Sequence, residues 1–449
     1  MAVQGVPTEL GTEKVSKLLR QYAVPAIIAM TASSLYNMVD SIFIGHGVGK
    51  FAIAGLALTF PLMNLGAAFG ALVGVGASAT ISMLLGQKNY DMANKVLGNV
   101  VTLNTIIGIV YTIVFLAFLD PILYFFGASE NTIGYARDYM TIILFGNIIT
   151  HMYLGLNAVM RSSGMPKKAM YTTIFTVVIN AILDPIFIYV FDWGIKGAAI
   201  ATVIAQSLAL AWIVRIFSNK SLVIHFKKGI YKLKARIVKD VISIGMAPFF
   251  MNTAACLIVI LINQGLQRHG GDLAIGAYGI VNRVSFVFVM IVLGLNQGMQ
   301  PIVGYNFGAR QFNRVMGTLK LTIIIATAIM TLGFLAAEIF PRSICMIFTT
   351  DEELIQHAVK GMRIVFMCFP IVGFQIVTGN FFQSVGMAGK SVFLSLTRQL
   401  LFLLPGLLIL PHFLGTNGIW ISMPVSDALS SFVAFVILYT QMKNFKTSK

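Results

Sequence analysis

Charge is what this sequence has least of. Asp, Glu, Lys and Arg make up only 11% of its 449 residues, against about 25% in a soluble domain. Hydrophobic residues reach 57%. A soluble chain could not hydrate so apolar a surface, so soluble enzymes and soluble binding modules are excluded first. Cysteine is nearly absent. Cys256, Cys345 and Cys368 lie in apolar segments without CxxC or His spacing, which excludes a disulfide framework and a thiolate metal site. Period-two alternation is absent too, which argues against a membrane β-barrel. Residues 1–19 are polar and lack an apolar h-region, so no cleavable signal peptide is expected. The net charge of +16 invites a nucleic-acid reading. Lys and Arg instead gather at the termini and in alternate loops, so no nucleic-acid partner is expected.

What the chain does have is apolar runs of about 20 residues or more along its whole length, each long enough to cross a bilayer as a helix. Twelve spans are expected, at roughly 20–44, 51–84, 92–118, 133–160, 167–190, 195–217, 240–266, 273–304, 314–340, 354–383, 389–411 and 416–442. The fold class is therefore an all-α polytopic membrane protein with twelve transmembrane helices, and its constant partner is the lipid bilayer. The basic loops put both termini on the cytoplasmic side.

The sequence also repeats itself. Gly86-Gln-Lys88-Asn-Tyr90 returns as Gly308-Ala-Arg310-Gln-Phe312, and Gly164-Met165 returns as Gly386-Met387, both at an offset of 222. Ala52-Ile53 and Gly76 align with Ala274-Ile275 and Gly298 at the same offset. Pro25 and Pro248 open the two copies at an offset of 223, and Gly194 and Gly197 match Gly415 and Gly418 at 221. Six spans per copy make both copies enter the membrane in the same direction, as parallel repeats with a cargo cleft near the midplane. The expected organisation is an N-terminal lobe, 1–217, a cytoplasmic linker, 218–239, and a C-terminal lobe, 240–449.

Most of the sixteen acids fall in loops or at span ends, but Asp40 and Asp184 do not. An ionised Asp at a helix centre costs on the order of 3 kcal/mol on insertion scales, so such residues usually face a cavity and carry function. Tyr36 and Asn37 share a helix face with Asp40, Asn180 precedes Asp184 by one turn, and Thr202 is a further oxygen donor at that level. Two carboxylates with amide and hydroxyl oxygens suit a proton or a hard cation, with Na+ possible at Asp40, Asn180, Asp184 and Thr202. Pro25 and Pro185 are the expected hinges, because proline releases backbone carbonyls and permits bending. The second copy lacks this acid pair: Gly406 stands where the repeat offset would place a partner of Asp184, and the stretch MNTAACLIVILINQGL of span 7 has no carboxylate.

Other polar residues inside spans are candidates for a cargo cleft: Asn157, Met160, Asn252, Gln264, Asn282, Arg283, Gln375, Asn380, Gln383 and Arg398. Arg283 and Arg398 are expected as buried cations, with Asp427 an available partner. His151 could relay protons, although a hydrogen-bonded structural role fits it better. The Gly66-Gly70-Gly74 run in span 2 and the Gly294-Gly298 pair in span 8 read as close helix packing rather than hinges. After spans 2 and 8, Gly86 and Gly308 are expected to end their helices in the left-handed region.

These motifs together resemble the multidrug and toxic compound extrusion (MATE) family over about residues 15–440. The resemblance rests on the 6+6 repeat, the Gly-x-Lys/Arg-x-aromatic loops, MRSSGMPKKAM with its partner FFQSVGMAGKS, and INAILDPIFIY followed by GAAIATVIAQ. It is nearest to the branch named for DNA-damage-inducible protein F, which includes MepA-type efflux proteins. That resemblance implies Asp40 as the essential acid of span 1, with Asn180, Asp184 and Thr202 completing a cation site. It further implies a prokaryotic inner-membrane antiporter, expected as a monomer, exporting organic cations or amphipathic drugs by alternating access, driven by protons, sodium or both. No cofactor beyond the coupling ion is implied, and the protein is not an enzyme. The sodium-coupled branch uses acids in spans 7 and 10 that this chain lacks. The same superfamily contains lipid-linked oligosaccharide flippases, whose phosphate-bearing cargo calls for a cleft ringed with Arg and Lys; only Arg283 and Arg398 are available here. An intramembrane aspartyl protease would need a GxGD context, where this chain has NMVD and AILD.

Overall fold

The structure, a computed structural model, describes residues 7–447, with the side chains of 35–39, 41, 42, 45, 46, 50, 272 and 444–447 left aside. Every regular element among the described residues is helical. In order they are α1 (Glu9–Thr12), α2 (Val15–Gly47), α3 (Lys50–Gly86), α4 (Tyr90–Ala117), α5 (Leu119–Phe125), α6 (Ile133–Ser162), α7 (Pro166–Pro185) with a π-helical turn (Ile186–Val190), and α8 (Gly194–Phe217). Then come α9 (Ala235–Gly308), α10 (Phe312–Ile339), α11 (Pro341–Met346), α12 (Glu352–Phe366) and α13 (Phe369–Ser384). Last are α14 (Ala388–Leu396) with a second π-helical segment (Thr397–Leu403), α15 (Leu404–Leu414) and α16 (Thr416–Thr447).

Ten helices among the described residues are long and apolar enough to cross a membrane, and eleven when α12 and α13, bent by 53° at their junction, count as one span. The remaining expected span, 20–44, lies within the 33-residue α2. The chain is therefore a multi-pass membrane protein. Spans 7 and 8 follow one another in α9 with a single break at Gly271, φ 64°. The short helices α5 and α11 escaped the sequence reading. Leu119 and Pro341, which begin them, are separated by the same offset as the loop motifs, so the repeat extends to features that hydropathy does not mark.

The turns obey the repeat as well, with one correction. Gly86 and Gly308 do not take up the left-handed conformation. Lys88 (φ 57°) and Arg310 (φ 58°), two residues on, do. Each closes the same helix-ending motif: Lys88 N–H donates to Leu85 O and Asn89 N–H to Leu84 O, while Arg310 N–H donates to Phe307 O and Gln311 N–H to Asn306 O. The two hydrogen bonds hold a side-chain-bearing residue where glycine is usual, and Asn89 then caps α4 by accepting from Met92 N–H at 3.2 Å.

The helices gather into two compact units, the first comprising Met1–Thr12 and Ile28–Phe249, the second Glu13–Ile27 and Phe250–Lys449. These limits differ from the lobe boundaries drawn from the repeat. In the first unit the opening turns of α9 lie against α3, and a Cβ on Gly76 would collide with the Val241 carbonyl. In the second unit the opening turns of α2 lie against α9, and a Cβ on Gly298 would collide with the Ala23 backbone. Gly76 and Gly298 are repeat partners, so the same close approach is built twice. Pro25 and Pro248 stand just ahead of the points, after Ile27 and after Phe249, where α2 and α9 pass from one unit to the other. Elsewhere in the first unit Gly70 and Gly74 seat α3 on α6, with Leu154 and Gly155 as their neighbours, the packing role expected of that run.

The polar stretch 218–234 is docked rather than slack. Asn94 of α4 donates to Val223 O at 2.9 Å and accepts from His225 N–H at 2.9 Å. One turn on, Asn99 accepts from Lys234 N–H at 3.0 Å, and Thr102 donates to Tyr231 O at 2.8 Å. Three polar side chains on one stretch of α4 thus supply the partners that an irregular backbone requires.

Candidate functional site

Three helices of the first unit bring four of the expected residues together. Asp184 and Asn180 come from α7, Asp40 from α2 and Thr202 from α8; Asp184 and Asn180 are essentially inaccessible, and Asp40 retains 6% exposure. The carboxyls of Asp40 and Asp184 are close enough to act on each other. Asn180 joins Asp184 to Thr202. In the amide orientation that satisfies both neighbours, its nitrogen donates to Asp184 at 2.9 Å, and its oxygen accepts from the Thr202 backbone N–H at 3.0 Å and hydroxyl at 3.2 Å. Asp40 Oδ1 is buried with no hydrogen-bond partner among the described residues. No Lys or Arg forms an ion pair with either acid among the described residues. Two carboxyls meeting away from water cannot both stay ionised without compensation: they take up protons or hold a cation. The expected neighbours Tyr36 and Asn37 have side chains that lie outside the described residues.

The local sequence explains the geometry. One helical turn separates Asn180 from Asp184, which puts both on one face of α7. Pro185 then brings no N–H to the ladder, and the helix continues as a π-helical turn in which Phe191 N–H donates to Ile186 O at 3.0 Å. The widened turn begins two residues after Asp184. The donor set fits a proton as it stands. It fits Na+ once the Asn180 amide turns its oxygen toward the carboxyls, because all four groups then offer hard oxygen. Among the described residues no group of three or more His, Cys, Asp or Glu could hold a metal ion.

The remaining candidates do not join this cluster. Asn157 is buried and ties α6 to α7, donating to Ala169 O at 3.0 Å and Thr172 Oγ1 at 2.9 Å, while its own oxygen accepts from Arg161 at 2.5 Å. Met160 is fully buried, and Gln383 nearly so. Gln375 donates to Leu394 O at 3.3 Å, and Asn380 to Ile376 O of its own helix at 2.9 Å. Gln264 and Asn282 are exposed, and Asn252 is half-buried. Arg283, expected as a buried cation, is exposed on the second unit. Arg398 is the cation that found Asp427: its Nε donates to Asp427 Oδ1 at 2.6 Å, with Asp427 buried. The Arg398 carbonyl, in the second π-helical segment, accepts from Ser426 Oγ at 2.6 Å. His151 is buried, with Nε2 2.8 Å from the Gly66 carbonyl, the hydrogen-bonded arrangement expected of it. Both π-helical segments went unread in the sequence; Pro185 was the only signal for the first, and nothing in the residue pattern marks the second.

A four-residue cluster of this kind, in a twinned helical membrane protein, can be set beside known proteins. The MatE family model matches residues 25–186 and 244–408, one stretch in each copy. The chain belongs to the MatE family. Two curated relatives are both named multidrug export protein MepA. That of Staphylococcus haemolyticus (strain JCSC1435) is 26% identical over 433 residues, 96% of this chain and 95% of that protein. That of Staphylococcus aureus (strain MSSA476) is 26% identical over 425 residues, 95% and 94% of the two. Among solved structures, a complex of the MATE multidrug transporter DinF-BH is 38% identical, with a TM-score of 0.89 over 96% of each chain. An outward-facing multidrug-resistance MATE transporter of the MOP superfamily, 23% identical with a TM-score of 0.92 over all of both chains, shares the fold. MatE proteins of this kind are named as transporters, and this chain is a transporter rather than an enzyme.

Proposed function

We propose that this MatE protein is a secondary active antiporter that exports organic cations or amphipathic drugs, exchanging them for protons or sodium at the Asp40–Asp184 pair. One observation carries the reading: two buried carboxyls lie close together, and among the described residues one has an oxygen left unpartnered and no Lys or Arg pairs with either. Such a site must load something positive, and in a membrane that something can be supplied from either side. Asn180 and Thr202 hold Asp184 in place, while Pro185 and its π-helical turn give α7 a segment that can change pitch as the charge changes. Pro25 removes a backbone N–H from the ladder of α2 close to where that helix passes from one unit to the other, a second place where bending is permitted. The relatives' names support drug efflux as the task. We further take the protein as a monomer of the prokaryotic plasma membrane, with the termini on the cytoplasmic side because Lys and Arg gather there and in alternate loops.

A phosphate-bearing cargo finds less support, because Arg398 is taken up by Asp427. The energetics allow one ion per turnover. A membrane potential contributes about 2.3 kcal/mol per charge per 100 mV, and one pH unit about 1.4 kcal/mol. Exchange of one proton for one monovalent cation would draw only on the pH term, whereas two ions, or neutral cargo, would use both.

The test is flux into liposomes holding the purified full chain, an ethidium-type dye and separately imposed proton and sodium gradients. Wild type is expected to move dye under at least one gradient, with Asp40→Asn and Asp184→Asn each slower by on the order of tenfold or more. Dye movement under neither gradient, or variants that match wild type, would refute the proposal.

A further inference from the structure

A cleft of about 230 Å³ opens on the first unit where α7 begins and α8 ends. Lys168, Trp212, Arg215, Ile216, Asn219 and Leu222 line it. Lys168 sits in the first turn of α7; Trp212, Arg215, Ile216 and Asn219 recur at helical spacing along the last turns of α8 and just beyond. The indole is fixed in place, edge-on to Phe175 at 5.4 Å and 82°, and Phe175 lies two turns along α7 on the face that carries Lys168. Asn219 commits its oxygen to Ser221, accepting from the backbone N–H at 3.0 Å and the hydroxyl at 2.9 Å, so its amide nitrogen is the donor left over.

The repeat shows that Lys168 is placed differently from its partner. In the second copy the equivalent lysine, Lys390, is satisfied internally: it donates to Gln441 and lies 5.5 Å over the Phe382 ring. Lys168 and Arg215 form no ion pair and no side-chain hydrogen bond among the described residues. Two cations with no ion pair among the described residues, a side-chain amide and an indole therefore line one cleft. Its depth in the membrane is set by the spans Pro166–Val190 and Gly194–Phe217, which leave their apolar stretches here. An end of an apolar span is where Trp is favoured. Below the cleft the same two helices expose Val178 and Leu208, an apolar flank.

We propose that this cleft binds the headgroup phosphate of an anionic glycerophospholipid, with the acyl chains lying along α7 and α8. Lys168 and Arg215 neutralise the phosphate diester, the Arg215 fork and the Asn219 amide donate to its oxygens, and Trp212 covers the glycerol. A zwitterionic lipid brings its own cation and gains less from the pair. The site is separate from the carboxyl cluster and does not depend on its role.

The test uses the full chain with Trp193→Phe and Trp420→Phe, which leaves Trp212 as the only indole. It is titrated in detergent with acyl-brominated phosphatidylglycerol, with acyl-brominated phosphatidylcholine and with inorganic phosphate. Phosphatidylglycerol is expected to quench Trp212 at a concentration about thirtyfold lower than phosphatidylcholine, the preference two membrane-facing cations provide. Lys168→Ala with Arg215→Ala should erase that preference, and Arg215→Lys should keep most of it, which separates loss of the site from loss of the fold. Lys227→Ala with Lys228→Ala, cations of the docked linker outside the cleft, should leave it intact. Equal quenching by the two lipids overturns the proposal, as does a preference that survives the double alanine variant or falls equally in the linker variant. Displacement of bound lipid by inorganic phosphate at comparable concentration would make this a free-anion site and overturn the lipid assignment.

Discussion

The two copies solve the problem of a buried acid in opposite ways. In the first, Asp184 meets another acid, Asp40, and accepts from the Asn180 amide, whose oxygen in turn accepts from Thr202. In the second, Asp427 carries its counter-ion with it, because Arg398 reaches it from the neighbouring span at 2.6 Å. Counting from the paired prolines, the place of Asp40 is taken by Asn263, and at the loop-motif offset the place of Asp184 is taken by Gly406. The buried acid of one unit is thus neutralised in place, and the buried acids of the other are left needing a positive charge. The lesson is that duplication fixed a scaffold twice over, in turns, short helices and glycine contacts, while leaving the charge of each copy free to diverge.

The contrast can be broken from either side. The largest effect is expected in the neutral copy. Arg398→Met leaves Asp427 buried and alone, and should lower the unfolding free energy in detergent by about 3 kcal/mol, the low end for removing one partner of a buried pair. The double variant Arg398→Met with Asp427→Leu should return to within about 1 kcal/mol of wild type. In the first copy the sign reverses: Asp184→Asn removes an uncompensated acid and should leave thermal stability unchanged or higher. If Asp184→Asn destabilises as Arg398→Met does, the two sites are alike and the contrast fails.

The scaffold should respond symmetrically where the charges do not. Gly76→Val and Gly298→Val each force a side chain into a facing backbone and should cost about 2 kcal/mol apiece, read as matching drops in detergent melting temperature. Unequal drops would show that the repeat contacts are not equivalent. Asn180→Leu removes the group that orients Asp184 and should weaken the apparent affinity for the driving ion by about tenfold, measured as the ion concentration giving half-maximal flux. The smallest effect belongs to the loop pair. Lys88→Gly and Arg310→Gly relieve a left-handed residue and should each raise stability by roughly 0.5 kcal/mol.

Much of this was legible in the residues. Hydropathy located the spans to within a few residues because a bilayer demands about twenty apolar positions in a row, and few other things do. The carboxyl pair was legible because an acid is costly in an apolar span, so its presence is informative. Asn180 was found by its spacing from Asp184, and Thr202 as an oxygen donor at the same level of the next span, a set the family resemblance completed. The rest depends on contacts between segments, which spacing does not encode. Lys88 and Arg310 take the left-handed position because the hydrogen bonds that close the turn select the second residue after the glycine. The stretch 218–234 read as a linker because its partners, Asn94, Asn99 and Thr102, look like ordinary polar residues near the start of span 3. Arg283 and Arg398 were alike as sequence; only packing separates an exposed cation from one held by Asp427.

The most direct measurement is ion binding by the purified full chain in detergent near neutral pH, followed by equilibrium binding of radioactive sodium and by proton release or uptake at a pH electrode. Wild type is compared with Asp40→Asn/Asp184→Asn and with Arg398→Met/Asp427→Leu. Ion exchange is expected to vanish in the first double variant and to persist in the second. Exchange that survives the loss of Asp40 and Asp184, or disappears with the Arg398–Asp427 pair, would contradict the account.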